Sequence, residues 1–313
     1  MPYGNRPALR RSVAAAAYPR WVLLEHNDER RHGYPDAKTV AHARTSKGRP
    51  ISVSCVLAAP PAVSRMRLHS SGLPEGVRIS SCAVAAHGDS VLVNVETRID
   101  DWDHCDDYED EASDYFLYRA GDAAADPFRP PSLSLLPYPK RSLYSGWTAI
   151  LRRGQDDVLV AALGSNIKDG DKSRPLEAEL CVLRSGDWQW ELKRLPVIHG
   201  EGKRWEVSCW RTDWVIPVGD RFLLWVDYYR GIIYSHDVWH ETPELRYVSL
   251  PVEPGARRRC SDEDDRDGSS YQSICATDGG CMVRFVEIFP RCCCGCPGET
   301  VCAAARYTFT INT

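Results

Sequence analysis

Short apolar runs with strand-like spacing, separated by Gly, Asp, Asn and Pro, recur along this chain, and helical periodicity is almost absent. Ten such runs read as strands: 51–57, 90–95, 114–119, 147–151, 157–163, 177–183, 188–195, 221–227, 231–238 and 245–250. A Leu-Pro pair closes four strand runs, at Leu73-Pro74, Leu136-Pro137, Leu195-Pro196 and Leu250-Pro251. These pairs are spaced by 63, 59 and 55 residues. Ahead of the last three pairs one plan repeats: strand, turn, strand, spacer, strand, Leu-Pro. A unit of three or four strands cannot bury both of its faces alone, so such units must stack. The expected fold is therefore all-β and β-propeller-like. A pair of β-sandwich-like domains is the alternative.

The fullest copy of the plan contains LLWVDYYRGIIYSHDV, residues 223–238. Its Asp, Tyr, Arg and His invite a catalytic reading, but each residue type has a structural use. Trp225 and Val226 end a strand, and Asp227 to Gly231 make the connection. Asp227 can hydrogen-bond the turn backbone, and Gly231 is expected to supply a positive φ. Ile232, Ile233 and Tyr234 then begin the return strand.

The blocks WVDYYRGIIYSHDV (225–238), PELRYVSLPVEP (243–254), RCCCGC (291–296) and YTFTIN (307–312) together resemble the plant family called domain of unknown function 1618, expanded in grasses. The stretches YPRWVLLE (18–25) and SVSCVLAAPPAVSR (52–65) resemble the region found ahead of that domain. The resemblance implies a propeller-like β fold, similar in style to domains that follow F-boxes. It implies no known activity and no catalytic residues. Relatives continue past the FTI segment, so the resemblance also implies an incomplete ring ending at Thr313. The expected division is a disordered leader (1–17), N-terminal β repeats (18–220) and a family-matching β segment (221–313).

The 39 basic and 43 acidic residues leave a net charge of -4, which gives no electrostatic case for nucleic acid. No apolar run reaches the roughly 18 residues a spanning helix needs, so no membrane is expected as partner. The 13 Cys are odd in number, and the Val13–Tyr18 run is too short for a secretory core. The thiols are expected to be mostly reduced, in cytoplasm or nucleus. Arg6, Arg10 and Arg11 leave a plastid or mitochondrial leader as a lesser reading.

Candidate chemistry is sparse. Cys293 and Cys296 form one C-x2-C knuckle, and Cys302 could add a third thiolate, but no second knuckle completes the four ligands zinc takes. Adjacent cysteines in a strand also point to opposite faces. Structural thiols are the simpler reading, and a zinc-stabilised fold is the alternative. His236 and His240 stand four apart, a spacing that converges on a metal only on a helix. Nine carboxylates within 100–114 read as a solvated loop. The acidic run from Glu263 begins like a calcium loop but has Ile274 where the bidentate Glu belongs. Trp188 and Trp190 read as sharing one strand face, directed at the core rather than at a sugar.

The expectation is thus a non-catalytic protein–protein interaction module without cofactor, with an unidentified protein partner. Tyr228, Tyr229 and Arg230 are of the types that anchor interfaces, and their turn is the candidate contact. A carbohydrate-binding or carbohydrate-active propeller is the rival; an active one would need paired carboxylates about 5–9.5 Å apart.

Overall fold

The computed structural model describes residues 21–25, 37–73, 75–99, 112–122, 129–164, 167, 174–251, 272–277, 282–291 and 308–312. Nineteen strands and one five-residue helix occupy them. The first sheet contains β1 (Leu23–Leu24), β2 (Ala41–Arg44), β3 (Pro50–Val56) and β4 (Val63–Ser70), in the order β1-β4-β3-β2. The second is a meander of β5 (Val77–His87), β6 (Ser90–Ile99), β7 (Ala112–Arg119) and β8 (Ser132–Leu135). Two further meanders follow: β9 (Thr148–Arg153), β10 (Asp157–Leu163), β11 (Glu177–Arg184) and β12 (Trp190–Ile198), then β13 (Trp214–Val218), β14 (Phe222–Asp227), β15 (Gly231–Ser235) and β16 (Leu245–Ser249). Their last strands, β12 and β16, pair in parallel over two residues, so the two meanders read as one eight-stranded sheet. The helix α1 (Arg204–Ser208) lies in the β12–β13 connection. A fifth unit holds β17 (Gln272–Thr277), β18 (Met282–Arg291) and β19 (Thr308–Asn312).

Alternation of side chains gives every unit two faces, and the cores show where each face goes. Val93, Val95, Phe116 and Tyr118 of the second unit pack on Ile51, Val53, Cys55 and Met66 of the first. Leu92, Tyr115 and Leu117, on its other face, meet Ile150, Val158, Val160 and Cys181 of the third. The third unit's other face (Leu151, Leu159, Ala161, Leu180) meets Leu223, Trp225, Ile233 and Tyr247 of the fourth. Finally Leu224, Val226 and Ile232 of the fourth meet Ile274 of the fifth. Each fully buried Leu or Ile contributes on the order of 1.5–3 kcal/mol. Four cores in succession, each shared by two neighbouring units, are the arrangement of stacked propeller blades. Two separate sandwiches would break the succession at a domain boundary.

The blades also converge. β5 packs beside β9, β9 beside β13 and β13 beside β17, so the first strands of consecutive blades lie side by side. Leu24 of β1 lines the cavity that β5, β9, β13 and β17 enclose. In the first blade the strand order is reversed, and its outermost strand β2 lies against β8. The Leu-Pro pairs mark this architecture. Leu136 and Leu250 directly follow β8 and β16, Leu195 lies within β12, and Leu73 follows β4. Each of these leucines thus sits in or just after the last strand of a blade.

Two local readings change. Trp188 lies in the turn before β12 at φ 49, while Trp190, the first residue of the strand, is buried and donates to the Pro137 carbonyl at 2.8 Å. The two do not share a strand face. Asp114 is no loop residue: it is buried in β7 and accepts from the Ser46 amide at 2.9 Å. The other carboxylates of the 100–114 run, the acidic run from Glu263 to Gly268 and the leader 1–17 lie outside the described residues.

Candidate functional site at one rim of the blades

The first strands of the second, third and fourth blades begin at one rim, and the β14–β15 turn lies there too, because Trp214 pairs with Val226. That turn is Asp227-Tyr228-Tyr229-Arg230, closed by the Arg230 amide donating to the Asp227 carbonyl at 3.0 Å. It folds inward. Asp227 and Arg230 are 1% and 5% exposed, and the Arg230 guanidinium donates to Asp227 Oδ2 at 2.8 Å. The Tyr229 amide donates to Oδ1 at 3.0 Å and the Arg211 amide to Oδ2 at 3.2 Å. Tyr228 is buried and packs in the core between the fourth and fifth blades; Tyr229 is half-buried beside it.

Helix α1 clamps this turn through Glu206, which is itself buried. Tyr247 Oη lies 2.7 Å from Glu206 Oε2 and 3.0 Å from the Arg230 carbonyl. Ser249 donates to the same Glu206 oxygen at 3.0 Å, and Lys203 donates to Oε1 at 3.0 Å. Burial works against the charge on Glu206, but the hydrogen bonds from Tyr247, Lys203 and Ser249 outweigh it and hold the carboxyl below its usual range. Asp227 goes the other way. Its burial dominates, Arg230 offsets part, Asp213 adds repulsion, and the carboxyl is pushed up to about 6. Burial and the Glu206 partner likewise push the Tyr247 phenol up.

Gly231 ends the turn for a reason other than the one expected. Its φ is not positive; instead a Cβ there would stand 2.3 Å from the Val248 carbonyl oxygen and 2.6 Å from the Tyr247 ring. The glycine admits the close approach of β16. Asp227 does bond the turn backbone, as its residue type implies.

Of the three residues expected at a contact, Tyr228 and Arg230 are therefore buried and only Tyr229 is part-exposed. The same rim carries other aromatic side chains that are open: Tyr138 (81% exposed) and Tyr144 (55%) on the β8–β9 connection, Trp205 (52%) on α1 and Trp214 (51%) at the start of β13. Aromatic composition alone did not separate these from the core tryptophans Trp190, Trp210 and Trp225, which are 6%, 3% and 0% exposed.

The histidine pair is on the surface, with His236 edge-on to Phe222 and Tyr234. Among the described residues no three His, Cys, Asp or Glu gather to hold a metal. Cys293, Cys296 and Cys302 lie outside the described residues. Cys82, Cys181 and Cys275 are free thiols, whereas Cys209 is disulfide-bonded. Among the described residues no helix is long and apolar enough to cross a membrane.

Residues 225–313 match the model of a family described as protein of unknown function, DUF1618. That segment is similar to DUF1618. The match begins at Trp225 in β14 and takes in the Asp227–Arg230 turn, β15, β16 and the fifth blade. The matched segment thus supplies Asp227, Arg230, Tyr247 and Ser249, while Glu206 comes from the chain ahead of it. No curated protein matches the chain.

Proposed function

We propose that the protein is a non-catalytic interaction module that engages a protein partner through the rim bearing Tyr138, Tyr144, Trp205 and Trp214. The observation that carries this reading is the exposure of four large aromatic side chains on one rim, next to a turn that is locked from beneath. Aromatic side chains bring large contact area at low entropy cost and dominate interface energetics. The Asp227–Arg230–Glu206 network supports the reading by fixing the backbone under α1, so that Trp205 is presented on a rigid base. The buried charges each have a structural partner, which favours a scaffolding role for them over a catalytic one.

The test compares capture from an extract of the source cells by the full chain and by two variants. One combines Tyr138→Ala, Tyr144→Ala and Trp205→Ala; the other is Leu192→Ala, which removes an exposed apolar side chain from β12, away from the rim. A protein held by the parent and by Leu192→Ala, and lost at least about tenfold with the triple variant, is the expected result. Partners retained by the triple variant, or none specific to the parent, would contradict the assignment.

A further inference from the structure

The innermost strands enclose a cavity of about 590 Å³ along the axis, within the ~300–1,000 Å³ range of small-molecule sites. Small side chains make the room. The wall of β5 is Ala83-Val84-Ala85-Ala86, where a β-bulge between Ala83 and Ala85 lets Val84 stand out of register. Ala149 of β9 and Ala276 of β17 continue the lining. Among the described residues that line it, none is charged, so an ion entering would lose its hydration without compensation. Ser145 and the half-exposed Trp214 stand at the end where β9 and β13 begin. One step beyond the other end, His87 accepts from the Arg152 amide at 2.9 Å and is hydrogen-bonded to the Gly219 backbone. It joins three blades below the cavity.

One lining group has unmet hydrogen-bonding capacity. Thr148 is 1% exposed, and its hydroxyl is buried with no partner. Buried hydroxyls are normally satisfied, so an orphan in the wall of an apolar cavity points to a ligand. We propose that the axial cavity is a binding site for a small, uncharged, mainly apolar molecule carrying one hydrogen-bond acceptor, which the Thr148 hydroxyl meets after a turn about χ1. This site meets the aromatic rim at Trp214, which stands at its mouth, but Tyr138, Tyr144 and Trp205 take no part in its lining.

The uncharged naphthalene ketone prodan has this chemistry and reports polarity by its emission. Titrated into the full chain, it is expected to saturate at one molecule per chain, with blue-shifted emission and quenching of tryptophan fluorescence. Thr148→Val keeps the shape and removes the hydroxyl, so it should fold at least as stably while weakening prodan about 2- to 10-fold. Ala86→Phe, from an exposed position in the lining, should fill the cavity and abolish binding. Absence of saturable binding overturns the proposal. So does unchanged affinity in Thr148→Val, or retained binding in an Ala86→Phe variant that melts like the parent. The Tyr138→Ala, Tyr144→Ala, Trp205→Ala variant should bind prodan normally, so failure of the rim and failure of the cavity read out separately.

Discussion

Asp227 and Arg230 show how a turn that looks functional in sequence can be structural. A buried ion pair offers little net stability, because desolvation consumes most of the attraction, but removing one partner strands the other. Arg230→Ala should therefore lower the unfolding free energy by about 3–5 kcal/mol, read as a lower urea midpoint. Tyr229→Ala should cost clearly less, since that side chain is only half-buried. The pair also has a pH signature. The Asp227 carboxyl moves from 3.8 to about 6 on folding, so between those values the folded chain holds a proton the unfolded chain has released. Its contribution is fully present below 3.8 and is lost as pH rises through 6, a change on the order of 3 kcal/mol. Glu206 has the opposite sign: its depressed folded pKa gives stability above its ordinary range, lost on acidification. Urea unfolding of Asp227→Asn across pH 4 to 7 should show a penalty that shrinks as pH rises. A penalty that grows over that range would reverse the assignment.

The strands follow from residue pattern where both faces are buried. Asp157–Leu163 and Glu177–Arg184 carry near-continuous apolar runs because each lies between two neighbouring blades, and such runs are legible in sequence. β4 and β5 are not, since Val63–Ser70 and Val77–His87 mix Arg, His and Ser among their core residues. β13 hides behind Pro217. The inward tuck of Arg230 was illegible for another reason: it depends on Glu206 and Tyr247, which reach the turn from distant positions in the chain. Gly231 exposes the same dependence on neighbours. Its sequence context suggests a turn glycine, whereas the constraint is β16 pressing on it. Gly231→Ala should thus destabilise by more than the about 1–3 kcal/mol of a merely strained position. Gly48→Ala, at φ +77 with open space around it, should stay within that range. Thermal melts of the two variants side by side would show the difference, and equal melts would remove the packing argument.

At the scale of the molecule, the central claim is that successive blades share cores and so stand or fall together. Tryptophan placement makes this measurable, because seven of the ten lie between Trp188 and Trp239, in the third and fourth blades. Phe116, fully buried between the first two blades, is remote in the stack from most of them. The most direct measurement is thermal unfolding of Phe116→Ala, followed in parallel by tryptophan fluorescence and far-ultraviolet circular dichroism. Truncation of a buried Phe costs about 3–5 kcal/mol. Both signals should move together to a midpoint several degrees lower, in one transition. A tryptophan midpoint left where the parent has it, with the dichroism splitting into two steps, would mean that the blades fold as separate units and would contradict the shared-core stack.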